Sequence, residues 1–100
     1  MNKQKALSML GLAMRAGKLV TGEEMTVDKI RTQKVKLALV AEDAGKNTKK
    51  KVKDKSAFYQ VPFVDCFHSS EMSQAIGRER IVIGVLDNGF ANKIEELISS

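Results

Sequence analysis

The chain has 100 residues, 43% of them hydrophobic, and a formal net charge of +5, enough for one compact domain with its own core and too short for two. No run approaches the ~18 apolar residues of a membrane-spanning helix, and the lone Cys66 has no second thiol for an intramolecular disulfide or a cysteine-based metal site. The excess of lysine points to a polyanionic partner, either nucleic acid or an anionic membrane surface, and the cysteine usage to a reducing cytoplasmic setting.

In chain order, the first expected element is a helix over about Asn2–Ala16. Ala6, Leu7, Leu10, Ala13 and Met14 recur at helical spacing, and Gly17 stands where a glycine commonly closes a helix. Arg15 and Lys18 interrupt the apolar stretch, so the segment reads as an amphipathic helix rather than a signal sequence. Lys18–Val20 is the length of a strand stub. Thr21-Gly22-Glu23-Glu24 has the spacing of a capping box, which predicts a second helix from there to about Gln33 with Met25, Val27 and Ile30 inward. Lys36–Ala41 is a continuous apolar run, as in a strand buried on both faces.

After the loop AEDAGKN, Asn47 or Thr48 is expected to cap a third helix through about Tyr59, with Val52, Ala57 and Phe58 inward. Pro62 cannot continue it, so Val61–Phe67 reads as a strand. Ser69 or Ser70 then caps a short helix over Glu71–Ile76, which Gly77 ends. Arg78–Arg80 is a polar loop, Ile81–Leu86 a buried strand, and Asp87 or Asn88 opens a last helix through about Ile98, with Phe90, Ile94 and Leu97 inward. Strands separated by helices imply crossover connections and helices on both sheet faces. The predicted fold class is α/β: one domain over residues 1–100, a three-layer α/β/α sandwich with a mostly parallel or mixed sheet.

The strongest chemical signal is Gly45–Lys55, where Lys46, Lys49, Lys50, Lys51, Lys53 and Lys55 face a single acid, Asp54. Like charges four apart on a helix repel, so helix stability does not ask for this cluster; a nearby polyanion turns the cost into a gain through counterion release. The bland alternative is a solvated outer face. The aromatics Phe58, Tyr59, Phe63, Phe67 and Phe90 follow core or strand patterns, which argues against a base-stacking sheet. Cys66 and His68 are two apart in an expected strand and so share a face, which formally allows a nucleophile dyad; a core cysteine beside a rim histidine is the better reading. Glu42 and Asp43 end a strand, where α/β enzymes often place chemistry, yet no glycine-rich phosphate loop stands beside them. The arginines of Arg78–Arg80 suit phosphates or base edges, and equally an ordinary solvated turn. No cofactor or metal motif is present.

Taken together, LGLAMRAGKLVTGEE, KLALVAEDAGKNTKKKV, YQVPFV and AIGRERIVIGVLDNGFA, in this order and spacing, resemble the YlxQ-type bacterial members of the kink-turn RNA-binding ribosomal protein superfamily, which includes the archaeal L-seven-Ae protein. The resemblance spans almost the whole chain. It implies a mixed four-stranded sheet and binding to kink-turn RNA, a sharply bent internal loop built on sheared G·A pairs. It implies three RNA-facing places: the start of the second helix, the loop after the AED strand end, and the loop before the last strand. By position Gly22 matches the family's glycine and Glu24 its asparagine, while Met25 stands where a glutamate is usual. Asp28, with Lys29 beside it, occupies a position where a basic residue is common. Asp43 is the better neighbour of the site from the AED match, and Arg78, Glu79, Arg80 and Ile81 match the third loop. Lys18 and Lys46 complete the expected RNA-binding set with Gly22, Glu23, Glu24, Met25 and Lys29.

The chemistry of that arrangement is coherent. A helix N-terminus offers free N–H groups to phosphates, glycine lets a backbone come close, and a carboxylate can accept from guanine. If Glu24 serves the capping box, Glu23 is the freer carboxylate. The expected protein is a cytoplasmic, monomeric, non-catalytic RNA binder of the translation apparatus, with ribosomal RNA among the candidate targets. The alternatives are a small α/β enzyme or phosphate-ligand domain using Asp43 and Asp87, and a protein-interaction module that has kept the fold without RNA specificity.

Overall fold

The computed structural model describes residues 1–100 as nine elements. They are α1 (Lys3–Arg15), β1 (Leu19–Thr21), α2 (Glu23–Arg31), β2 (Leu37–Val40), α3 (Lys46–Phe58), β3 (Phe63–Val64), α4 (Ser69–Ile76), β4 (Val82–Val85) and α5 (Asn88–Ser99). The four strands form one sheet in the order β1-β4-β2-β3. β4 is antiparallel to both neighbours, and β2–β3 is the single parallel pair. The expected α/β/α sandwich with a mixed four-stranded sheet is therefore what the chain forms.

Period-2 alternation along the central strands divides the core in two. Leu37 and Leu39 of β2, with Ile83 and Val85 of β4, face α1, α4 and α5; Leu10, Phe67, Met72 and Ile94 complete that cluster. Ala38 and Val40, with Val82, face α2 and α3 and meet Val20, Ile30, Val35 and Val52. Gly84 lies on this second face. A Cβ there would stand 2.8 Å from Val20 Cγ1, 2.9 Å from Val35 Cγ2 and 3.1 Å from Thr26 Cγ2. The missing side chain is what lets α2 settle onto the sheet.

This close approach explains two departures from the expected pattern. Met25 is 59% exposed and Phe58 77% exposed, and Ala57 is exposed as well. Ile30 and Val52 point inward as expected, and the buried residues one helical turn from them are Thr26 on α2 and Ser56 on α3 rather than Met25, Ala57 or Phe58. Thr26 is the α2 side chain that meets the surface left bare by Gly84, while Met25 and Phe58 turn outward. The strand expected over Val61–Phe67 shrinks to Phe63–Val64, at the sheet edge where a preceding proline is tolerated. Pro62 still contributes its carbonyl, which accepts from the Ala38 N–H at 2.9 Å.

Candidate nucleic-acid interface

Strand direction gathers the loops. β1, β2 and β3 all run toward one end of the sheet, and β4 starts there: Thr21 lies opposite Ile83, Val40 opposite Val82, and Leu39 beside Val64. The turn at Gly22, the Glu42–Asp43 loop and the Arg78–Ile81 loop thus share this end. Lys18 does not. It precedes β1, and its carbonyl accepts from Leu86 N–H beyond the far end of β4, about 10 Å of strand away.

At the Gly22 turn the backbone takes φ 94° and ψ 152°, a conformation essentially confined to glycine. The Gly22 N–H donates to Val82 O at 2.9 Å, which ties the turn to the start of β4. The expected capping box is absent: Gly22 is itself the N-cap of α2, with no side-chain acceptor for the first-turn amides. Thr21 is consumed by β1, and its hydroxyl accepts from Arg80 Nε at 3.2 Å. α3 opens the same way, on Gly45 with no side-chain cap, rather than on Asn47 or Thr48.

The two glutamates exchange their expected roles. Glu23 is the committed one, accepting from Thr48 Oγ1 at 2.7 Å and pairing with Lys51 Nζ at 3.3 Å. The Thr48 hydroxyl, then the Lys51 ammonium, hold its carboxyl below the usual carboxylate range. Glu23 is therefore the staple between α2 and α3. Glu24 is exposed and accepts from no protein donor. Met25 and half-buried Lys29 stand one turn apart on α2, and Met25 borders a separate shallow groove with Glu24, Asp28, Arg31 and Lys51.

Asp43 is also engaged by the protein. Its carboxylate accepts from Ser69 N at 2.8 Å and Ser69 Oγ at 2.6 Å, contacts that lower its pKa, and it lies 3.4 Å from His68 Nε2. His68, not Ser69 or Ser70, caps α4: its ring accepts from Ser70 N while Glu71 accepts from His68 N. The histidine is turned toward Ser70 and Asp43, and Cys66 is a half-buried thiol whose pKa is raised by burial, so the two form no dyad. Asp87 caps α5 through Phe90 N at 2.9 Å, at the opposite end of the sheet from Asp43. The two acids that an enzymatic site would have shared are apart and each is occupied.

Between the Gly22 turn, α4 and the last loop lies an open cleft of about 530 Å³, lined by Gly22, Ser69, Ser70, Ser73, Glu79, Arg80 and Ile81. Arg78 and Glu79 are exposed, and Ile81 shows 41% of its surface. The lysines of α3 sort into two kinds. Lys49 donates to Glu42 O at 2.7 Å, Lys50 pairs with Asp54 at 2.8 Å, and Lys51 holds Glu23. Lys46, Lys53 and Lys55 have no ion-pair partner, and Lys46 opens the helix at the shared end. Residues 4–95 match the model of the ribosomal protein L7Ae/L30e/S12e/Gadd45 family. The chain belongs to that family.

Within it, the chain is of YlxQ type and non-enzymatic. It is 58% identical over 97 residues to the RNA-binding protein YlxQ of Enterococcus faecium, covering 97% of this chain and 94% of that protein. Against the RNA-binding protein YlxQ of Bacillus subtilis (strain 168) it is 45% identical over 91 residues, 90% of this chain and 91% of the other. A solved structure of a Bacillus halodurans protein of unknown function superposes with a TM-score of 0.93 at 45% identity, covering 96% of this chain and 98% of that one. The Giardia lamblia 15.5kD RNA binding protein shares the fold, with a TM-score of 0.80 at 15% identity, covering 99% and 87% of the two chains. Thr48 and Ser73 were absent from the expected set as site-building residues. Thr48 reads from sequence as a cap, and no pattern marks a helical serine as the partner of a loop residue seven positions on.

Proposed function

We propose that this family member is a non-catalytic RNA-binding protein that docks on kink-turn RNA and stabilises its bend, in the cytoplasm and as a monomer, with a ribosomal or translation-associated RNA as its target. The observation that carries the reading is the pair of uncapped helix starts, α2 at Gly22 and α3 at Gly45, at the sheet end that also holds the Arg78–Ile81 loop. Free first-turn amides and the helix dipoles suit phosphate oxygens, and Gly22 carries no Cβ to hold a backbone away. Glu24 supplies the acceptor that guanine N–H groups in sheared pairs require. Met25 and Ile81 offer apolar surface to splayed bases, where RNA sequence is best read. Lys46 and Lys29, with Arg78, add salt-dependent attraction. Glu79 borders the same cleft. Asp43 acts indirectly in this scheme, by holding the start of α4, and Glu23 by holding α2 to α3. Lys18 contributes at most long-range charge.

The test is a titration with a kink-turn RNA and with the same RNA carrying disrupted G·A pairs, at about 0.15 M salt. A marked preference for the intact kink-turn is expected. Equal affinity for both would reduce the protein to a generic polyanion binder and sink the specific-site reading.

A further inference from the structure

The two jaws of the interface come from distant parts of the chain. The Gly22 turn follows β1, and the Arg78–Ile81 loop precedes β4. Beside the backbone bond from Gly22 N–H to Val82 O, one side chain joins them. Arg80 Nε donates to Thr21 Oγ1 at 3.2 Å across 59 residues of sequence. The same residue is gripped from the other side by Ser73 of α4: Arg80 N donates to Ser73 Oγ at 3.1 Å, and Ser73 Oγ faces Arg80 O at 3.2 Å. These contacts are partly buried, and Nη1 of Arg80 turns back to Glu79 O at 2.7 Å, bracing the loop on itself.

We propose that Thr21, Arg80 and Ser73 form a strap that fixes the spacing between the Gly22 turn and the last loop before RNA arrives. They are positioning residues: the strap sets where Gly22 and Ile81 stand on the two sides of the cleft. The inference rests on the RNA-binding reading above. A loop without the strap samples other positions, and apparent affinity falls by the fraction of molecules in the competent arrangement. Arginine suits the task because its guanidinium offers several donors in a rigid plane, so Nε and Nη1 can serve two acceptors at once.

Thr21→Val tests this without touching any charge and keeps a strand-compatible shape. Kink-turn RNA affinity should fall by about tenfold, with the slope of log Kd against log salt unchanged. Thr21→Ser keeps the hydroxyl and should restore wild-type affinity. Ser73→Ala should repeat the Thr21→Val result, and the two substitutions together should cost less than the sum of each. Wild-type affinity for Thr21→Val, with or without a lowered Tm, overturns the proposal, because a strap that only stabilises the fold moves Tm and leaves binding in place. A second measurement needs no RNA. Hydrogen exchange at the Arg80 amide of the free protein, which donates to Ser73 Oγ, should quicken in Thr21→Val while the Ile30 and Ile83 amides stay protected; unchanged protection at Arg80 overturns the strap whatever the RNA does. Failure of wild-type protein to prefer an intact kink-turn strikes the RNA reading instead, and the exchange measurement still decides the strap.

Discussion

The two helix layers begin their helices in different ways. On one face of the sheet every helix finishes its own start with a side chain: Asn2 accepts from Lys5 N, His68 from Ser70 N and Asp87 from Phe90 N. On the other face neither helix does, since α2 opens on Gly22 and α3 on Gly45. A glycine N-cap gives up only about a few tenths of a kcal/mol against Ser, Thr, Asn or Asp, so the two uncapped starts cost folding that little each while leaving their first-turn amides open. They are a gain wherever an anion completes them. The contrast separates a layer that stabilises the sandwich from a layer whose helix ends remain available, and the available ends meet the lysines.

Gly22→Asp breaks the contrast most directly. It forces a residue with a Cβ into φ 94°, puts a carboxylate where amides would meet phosphate, and should abolish kink-turn binding, a loss beyond a hundredfold. No atom lies within 4 Å of a Cβ at this position, so steric clash inside the protein is not the cause, and Gly22→Ala separates backbone strain of about 1–3 kcal/mol from the added charge. A folded Gly22→Asp protein, by circular dichroism, that still binds the kink-turn would remove the open helix end from the mechanism.

Lys46 and Lys53 come next because they carry no ion pair. Reversing both to Glu should weaken binding by about tenfold and flatten the salt dependence by roughly 1.5 in log–log slope, since each lost phosphate contact removes about 0.7–0.9. Reversing Lys51 would mix this effect with loss of the Glu23 staple. A double reversal whose salt slope matched wild type would place the RNA away from α3.

The glutamates sharpen the comparison further. Glu24→Gln should reduce the preference for intact G·A pairs by several-fold, read as the ratio of the two affinities, with Tm unchanged. Glu23→Gln should do the reverse, lowering Tm with little change in that ratio. The pH dependence has a definite sign. The folded-state pKa of Glu23 lies below its unfolded value, so the unfolded chain binds more protons near pH 4. The staple's stabilisation is complete above the unfolded pKa of about 4.3 and is lost as pH falls through the lower folded value. Thermal melts of wild type and Glu23→Gln should therefore converge below about pH 4.

Much of this was legible in the sequence. The buried run at Leu37–Val40, the helix-closing Gly77 and the Asp87 cap all act through local or period-2 rules, and the structure forms each. Most of what escaped was tertiary. The Thr21–Glu24 spacing satisfies the capping pattern, but Arg80, 59 residues away, takes the threonine hydroxyl and strand pairing takes its backbone. Glu23 looked free because Thr48 and Lys51 belong to another helix. His68 was overlooked as a cap because serines stand beside it, yet its ring reaches Ser70 N first. At Thr21 and Glu23 a distant partner outcompetes the local use, whereas at His68 one local cap displaces another.

The smallest expected effect concerns the packing that brings α2 and α3 so near the sheet. Thr26 and Ser56 are fully buried, and neither hydroxyl has a hydrogen-bond partner. Leaving such a group unpaired costs about 1–3 kcal/mol, and its removal by an apolar group of the same shape is nearly neutral or stabilising. Thr26→Val keeps both branches at Cβ and the contact with the surface left by Gly84, so it should hold or raise Tm slightly and leave RNA affinity unchanged. Ser56→Ala should behave alike, with a gain in helix propensity added. A drop of more than about 1 kcal/mol in either variant would mean that the hydroxyl has a partner in solution, and a buried water beneath these two helices would be the place to look.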